Sequence, residues 1–245
     1  MIRKLKEVCA KWIIVEPLVF LYIMTNMSGV PVQNIYYNKF AEILNNTKLD
    51  DDVSDEVEEK TNEFIRNTTM IYAGLSACMM AVLGPVSDRF GRKFGILWTV
   101  ALTGVTNALF GLLYFLDTNN IVKIDINYYY IPQICFGIGG SNYNMFFSVF
   151  SYVGDLSNLD PETRLRRFTL SEAAIGVGVI AGYYVGSLVV QFLGDFYIFV
   201  VCTCLCLVAF IYGVVRIKNI IPGMDGDDYS EKVNIFFITK PFIDK

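Results

Sequence analysis

The sequence predicts an all-α polytopic membrane protein with six transmembrane helices. Of its 245 residues, 54% are hydrophobic and only 18% are charged, whereas a soluble domain carries about 25% charged residues. The mean hydropathy is +0.45. The apolar residues also fall into runs of about 20, the length that an α-helix needs to cross the hydrocarbon of a bilayer. The predicted spans are residues 12–33, 69–87, 94–116, 128–153, 168–193 and 196–217.

A short basic segment, residues 1–11, precedes the first span and contains Arg3, Lys4, Lys6 and Lys11. Positive charge beside a span marks the cytoplasmic side of a membrane, so we expect a cytoplasmic N-terminus. The apolar stretch that follows is longer than that of a signal peptide and has no small-x-small cleavage site. It is therefore predicted to be retained as a helix.

Residues 34–68 are predicted to form a long external loop between the first and second spans. Eight acidic residues lie between positions 50 and 63. Such dense like charge favours a solvated, flexible segment, and concentrating cations is its alternative role. The loop contains the sequon Asn45-Asn46-Thr47, which makes Asn45 the predicted glycosylation site.

A charged turn with the sequence Gly-Pro-Val-Ser-Asp-Arg-Phe-Gly-Arg-Lys joins the second and third spans. We call these residues, 84–93, the signature segment. A plain cytoplasmic loop needs the basic residues but not the acid or the glycines. Gly84 would let helices approach closely, Gly91 would permit a turn, and Asp88 could pair with a cation or a helix N-terminus. The residues predicted to form a conformational latch are Gly84, Asp88, Arg89, Gly91, Arg92 and Lys93.

The fifth span combines a glycine repeat with an acidic residue. Glycines at every fourth position predict a smooth stripe for helix packing, and they are Gly178, Gly182 and Gly186. Glu172 lies just inside the span, where an ionisable side chain is a functional hypothesis by default. It could load and release a proton. The alternative is an ion pair with the basic residues before the span, which are Arg164, Arg166 and Arg167.

Alternation of the spans places both termini in the cytoplasm. Residues 12–218 are predicted to form one six-helix bundle and residues 219–245 a cytoplasmic tail. The chain has no histidine, and its six cysteines are interpreted as packing residues, so neither a metal site nor a cofactor is predicted. No nucleophile–base pair or phosphate loop indicates an enzyme. A sequence pI of about 4.9 argues against nucleic acid as a partner.

The signature segment resembles the loop that characterises the major facilitator superfamily, because every key position of Gly-x-x-x-Asp-Arg-x-Gly-Arg-Lys is filled. The resemblance implies a transporter of two six-helix halves that works by alternating access, with the loop as a latch between the halves. This chain would then be the N-terminal half of a major facilitator fold. Its tail would be the start of the central cytoplasmic loop.

Most of the chain also resembles solute carrier family 46, which includes a proton-coupled folate transporter. The residues that carry this resemblance are 16–17, 84–88, 150–157, 164–168 and 170–176. It implies secondary active symport of a small organic solute, such as a folate, another organic anion or a peptidoglycan fragment. It also implies protons as the coupling ion and Glu172 as the coupling residue. Two departures are Phe40, where the family has a cysteine after Lys39, and the lack of histidine.

Transporter substrates usually bind near the membrane midplane, at the interface between repeats. The polar and aromatic residues at that depth are therefore candidates for a substrate pocket. They are Tyr22 and Asn26 in the first span and Asn142, Asn144 and Phe146 in the fourth. An asparagine in hydrocarbon needs a hydrogen-bonding partner, which either a water-filled cavity or a neighbouring helix provides.

The expected partners are the lipid bilayer, a small organic solute, and either a C-terminal six-helix half or a second chain that completes the cavity. The alternative function is a non-transporting membrane protein that pairs with or regulates another membrane protein. The expected location is the plasma membrane or an endolysosomal membrane.

Overall fold

The computed structural model describes residues 14–45, 53–156 and 161–220. Within these ranges the chain forms helices and no strand. The helices are α1 Glu16–Met24, α2 Gly29–Asn45, α3 Val53–Phe90, α4 Arg92–Thr118, α5 Tyr130–Ile138, α6 Ser141–Leu156, α7 Pro161–Leu193 and α8 Asp195–Arg216, with 3-10 segments at Thr25–Ser28 and Ile126–Tyr129. The predicted N-terminal segment 1–11 and nearly all of the predicted tail lie outside the described residues.

Four of these helices, α3, α4, α7 and α8, are long and apolar enough to cross a membrane by length and composition. They contain the predicted second, third, fifth and sixth spans. An α-helix satisfies all its own backbone hydrogen bonds, which hydrocarbon requires of a spanning segment. The protein is therefore an integral membrane protein built from helices.

The other two predicted spans are interrupted where the sequence predicts continuous helices. The first is divided into α1 and α2 by the 3-10 segment Thr25–Ser28. Two local features favour this break: Pro31 has no N–H to donate to the preceding turn, and the Thr25 hydroxyl donates to the Tyr22 carbonyl at 2.6 Å. The fourth is divided into α5 and α6, because Gly140 and Ser141 adopt positive φ angles of 79° and 50°.

The structure corrects the prediction of an irregular loop over residues 34–68. In the described part, α2 continues to Asn45 and α3 begins at Val53. The 38 residues of α3 span about 57 Å at 1.5 Å per residue. This length exceeds the ~40–45 Å thickness of a whole bilayer. The glycosylation candidate Asn45 is the last residue of α2, and the rest of its sequon lies outside the described residues.

Aromatic packing holds the extended ends of α2 and α3 together. Phe64 of α3 is buried, and its ring lies 4.8 Å from that of Tyr36 and 5.9 Å from that of Phe40, both of α2. Such edge-to-face pairs stabilise a contact beyond the burial of apolar area. The described acidic side chains of this region that face solvent are Asp55, Glu58, Glu59 and Glu63.

Helices α1 and α4 lie at the centre of the bundle. Helix α1 packs against α7 and α8, and α4 packs against α5, α6 and α8, while α3 packs against α2 and α5. The main buried cluster includes Leu18 and Tyr22 of α1, Ile96 of α4 and Met145 of α6. This arrangement places the first interruption against α7 and α8, and the second interruption next to α4.

Candidate functional site

The two helix interruptions are joined by side-chain hydrogen bonds. Asn142, at the start of α6, donates through Nδ2 to Asn26 Oδ1 at 3.2 Å. Its Oδ1 accepts from the Tyr22 hydroxyl at 3.0 Å, and that hydroxyl accepts from Thr103 Oγ1 of α4 at 3.4 Å. We call Tyr22, Asn26 and Asn142 the central amide cluster. It connects the end of α1, the first interruption and the start of α6.

The carbonyl groups released by the second interruption are satisfied from α4. Trp98 Nε1 donates to the Ile138 carbonyl at 3.1 Å, and Thr99 Oγ1 donates to the Gly139 carbonyl at 3.0 Å. Asn144 Nδ2 in turn donates to Thr99 Oγ1 at 2.6 Å. Carbonyl groups left without a hydrogen-bond donor are unfavourable in a protein interior. The hydrogen bonds from these side chains therefore stabilise the interrupted backbone conformation.

A cavity of about 420 Å³ lies beside the central amide cluster. Its wall is formed by residues of α2 to α7 and of the first interruption, and every lining side chain in the described part of the chain is uncharged. Its volume falls within the roughly 300–1,000 Å³ of small-molecule sites. The amide and phenol side chains in its wall are Asn26, Gln33, Tyr36, Tyr72, Asn107, Gln133, Asn142 and Tyr183.

The structure brings together three of the five predicted pocket residues. Asn26 and Asn142 line the cavity, and the fully buried Tyr22 hydrogen-bonds to Asn142 behind the wall. The other two are placed elsewhere. Asn144 is buried against Thr99 and supports the interruption, and Phe146 packs against the main buried cluster.

The prediction missed several cavity residues. Asn107 donates to the carbonyl of Thr103 at 3.0 Å, and Gln133 donates to the hydroxyl of Tyr36 at 3.3 Å. An amide within the apolar third span is the same signal that indicated Asn142, so Asn107 could have been found. Tyr36 was assigned to a loop, and no sequence signal indicated that it lines a cavity.

A second site lies at the opposite end of α4, in the signature segment. Helix α3 continues through Phe90, and Gly91, with φ of 98°, alone separates it from α4. Arg92 contacts Asp88 at 2.5 Å and Asp155 at 2.6 Å. The Arg92 side chain is 14% exposed, and ion pairs that are also hydrogen bonds are the stronger kind. Arg92 thus connects α3, α4 and the end of α6.

The signature segment also contacts the end of α8 and the residues that follow it. Lys93 Nζ donates to the Val214 carbonyl at 2.6 Å, and Asn219 Nδ2 donates to the Phe90 carbonyl at 2.8 Å. A side chain at Gly91 would overlap Asn219. Glycine is therefore required here by its positive φ and by this close approach.

Three of the residues predicted to form a latch lie at the surface of the described chain. Asp88 and Arg89 are exposed, and Gly84 is partly exposed. A Cβ built on Gly84 would meet no atom within 4 Å. The close helix contact predicted for Gly84 is thus not made by the part of the chain that the structure describes.

The sequence matches the family described as Major Facilitator Superfamily over residues 20–241. The chain belongs to the major facilitator superfamily. The match covers most of the chain and includes both sites. A comparison with curated proteins gives no match. Membership of this facilitator family indicates a membrane transporter, and members of the family are not typically enzymes.

In this facilitator chain, Glu172 lies on the outer surface of α7. Its side chain is exposed and is not part of the cavity wall. It makes no ion pair or hydrogen bond to any described residue, so the alternative pairing with the preceding arginines is not made within these ranges. Arg164 instead lies over the ring of Phe168 at 5.7 Å. The described residues also contain no group of three His, Cys, Asp or Glu side chains that could hold a metal ion.

The glycine stripe of α7 faces the first interruption of the facilitator bundle. A Cβ on Gly182 would lie 2.9 Å from the Met24 carbonyl oxygen, and one on Gly186 would lie 2.8 Å from Met27 Cβ. A Cβ on Gly178 would lie 3.2 Å from Ile23. All three glycines are buried. The stripe therefore allows backbone-to-backbone approach of α7 to the end of α1, as small residues do in membrane bundles.

Proposed function

We propose that this chain forms part of a secondary active transporter that moves a small organic solute by alternating access. The observation that carries the proposal is the meeting of two interrupted helices, joined by Asn26 and Asn142, at the wall of an uncharged cavity. Interrupted helices typically form the substrate sites of membrane transporters. Irregular backbone at membrane depth is tolerated where it lines such a cavity.

We propose that a second helical bundle completes the cavity. Alternating access requires two bodies that rock around a shared site, and the described residues supply the wall from a single bundle. The bundle would come from a C-terminal six-helix half or from a second chain, in line with the resemblance to solute carrier family 46. Both termini of the present six-span bundle would be cytoplasmic, in a plasma membrane or an endolysosomal membrane.

The signature segment is proposed to act as the latch between the two bodies. Arg92 and Lys93 are fixed to the bundle by contacts to Asp155 and Val214. Gly84 and Arg89, on the opposite side of the segment, have space around them for a helix of the second body. A latch that is rigid on one side and accessible on the other can bias a conformational equilibrium.

Protons are proposed as the coupling ion, with Glu172 as the residue that binds them. The support for this role is the position of a carboxylate within a helix of spanning length, exposed and without a partner among the described residues. Ionisable groups at such positions commonly mark ion pathways. No other cofactor is proposed.

Uptake into proteoliposomes tests the proposed function. The full-length gene product is reconstituted, and accumulation of a radiolabelled panel of sugars, carboxylates, folates and amino acids is measured with and without a proton gradient. We expect at least one solute to accumulate, and Asn142→Ala to lower its uptake. The matched control is Asn38→Ala, because Asn38 is exposed on α2 and lies outside the cavity wall.

Flat uptake across that panel would contradict the proposal. It would favour the alternative, a non-transporting protein that pairs with or regulates another membrane protein. Equal effects of Asn142→Ala and Asn38→Ala would leave transport intact but would remove the central amide cluster from the substrate site.

A further inference from the structure

The cavity wall offers hydrogen-bonding atoms that the protein does not use. Asn26 accepts through Oδ1, and its Nδ2 has no partner among the described residues. Asn107 and Gln133 donate through their nitrogens, whereas their carbonyl oxygens Oδ1 and Oε1 have none in the described ranges. Each amide carries both donors and acceptors. The wall therefore presents at least one free donor and two free acceptors to the interior.

Aromatic rings lie between these polar groups. Tyr36, Phe110 and Phe136 line the same cavity. Tyr36 and Phe110 are buried and pack on other rings, whereas Phe136 is partly exposed and offers an apolar surface. A ligand that fits this wall needs hydrogen-bonding groups at its edges and apolar C–H groups on its faces. A hydroxyl group suits the edge contacts because it donates to a carbonyl and accepts from an amide N–H.

The charge of the wall that this bundle contributes restricts the ligand further. No Asp, Glu, Lys or Arg is among the lining residues of the described chain. Transferring a carboxylate or an ammonium group from water into such a site is unfavourable unless an opposite charge lies nearby. A neutral solute loses less hydration, and its hydroxyl groups find partners on this wall.

We infer that the site takes a neutral polyhydroxylated solute, a monosaccharide or a polyol, in preference to an organic anion. The inference rests on the proposed transport function and names its substrate class. It differs from the folates and other organic anions that the resemblance to solute carrier family 46 implies. A cavity of about 420 Å³ has room for a molecule of this size with bound water.

Matched pairs of solutes test this inference on the reconstituted full-length protein. D-glucose is compared with D-glucuronate, and D-glucitol with D-gluconate, because the members of each pair differ chiefly in one carboxylate. We expect uptake of the neutral member to exceed that of its partner at least tenfold in one pair. Loss of one amide contact lowers affinity by about tenfold, so we expect Asn107→Leu and Gln133→Leu each to lower uptake of that neutral solute by this factor.

Asn38→Leu is the control, since it removes an exposed amide outside the cavity. Gln133 is only partly buried, so Gln133→Leu provides a second measurement if Asn107→Leu fails to fold. Uptake of folate or of a sugar acid, without uptake of the neutral sugar or polyol, would overturn the inference about the substrate class. The proposed transport function would still hold. Neutral uptake that neither amide variant changes would overturn the assignment to this cavity. No uptake of any probe, including the wider panel, would overturn the transport function as well.

Discussion

At the scale of single residues, a substitution of Glu172 distinguishes proton-coupled transport from facilitated transport without a coupling ion. The side chain is exposed on α7 and has no partner among the described residues. Glutamine keeps the size of glutamate but cannot gain or lose a proton. We expect Glu172→Gln to abolish the difference in uptake between acidic and neutral external pH, measured as initial rates in proteoliposomes.

Glu58→Gln is the matched control, because Glu58 is also an exposed glutamate but lies near the start of α3. The control should keep the full pH dependence of the unmodified protein. If Glu172→Gln keeps it too, Glu172 has no part in the coupling step.

The residue scale also shows where the sequence is ambiguous. Asn142 and Asn144 are both amides in an apolar span, and the sequence predicts the same pocket role for each. In the structure, Asn142 lines the cavity, whereas Asn144 hydrogen-bonds to Thr99 and supports the break. Their roles differ because residues two positions apart on an α-helix lie about 200° apart around its axis and so point to nearly opposite sides. Which direction meets the cavity depends on the break at Gly140, whose conformation the sequence does not reveal.

At the scale of elements, the glycine stripe of α7 determines how closely that helix approaches the first interruption. A methyl group on Gly182 would lie 2.9 Å from the Met24 carbonyl oxygen and 3.0 Å from its Cα. These are backbone atoms, which cannot move without displacing the helix. We expect Gly182→Ala to destabilise the protein by about 1–3 kcal/mol through overpacking, measured as a lower thermal unfolding midpoint in detergent.

Gly176→Ala is the matched control in the same helix, and we expect it not to destabilise the protein. A Cβ on Gly176 would meet no atom within 4 Å, and alanine favours an exposed helix by up to about 1 kcal/mol over glycine. The unfolding midpoint should therefore stay unchanged or rise. Equal midpoints for the two variants would show that the close contact of α7 does not limit stability.

The extended helices α2 and α3 show why element boundaries were harder to predict than spans. The acidic composition of residues 50–63 indicated a loop. The same region carries buried side chains at helical spacing, Val57, Thr61, Phe64 and Thr68. That pattern predicts an amphipathic helix, and it was available in the sequence. The sequence prediction follows the high charge density and not this pattern, because the sequence does not show that α2 provides a surface for the buried side chains.

At the scale of the whole molecule, α4 is held to its neighbours at both ends. At one end Arg92 pairs with Asp155 of α6, and at the other Asp117 pairs with the buried Lys39 of α2 at 2.6 Å. Lys39 also contacts Glu42 at 3.4 Å. Paired charges at both ends favour movement of the bundle as one body, which alternating access by rocking requires. The family and the signature segment were predictable from the sequence, whereas Asp155, Lys39 and Asp117 come together only through the fold.

The pair between Arg92 and Asp155 connects the bundle to the signature segment. Asn in place of Asp155 keeps the shape but removes the charge, and hydrogen bonds to charged groups contribute about 1.5–3 kcal/mol. If the signature segment biases the conformational equilibrium, Asp155→Asn should shift that equilibrium by about tenfold or more.

The shift is measured with the substitution Thr69→Cys, at an exposed position on the cavity wall. The rate at which this cysteine reacts with a membrane-impermeant thiol reagent reports how accessible the cavity is. The expected change is about tenfold in Asp155→Asn and none in Asp125→Asn, whose carboxylate is exposed and caps Asn127. Unchanged reactivity and unchanged uptake in Asp155→Asn would show that the signature segment does not control access to the cavity.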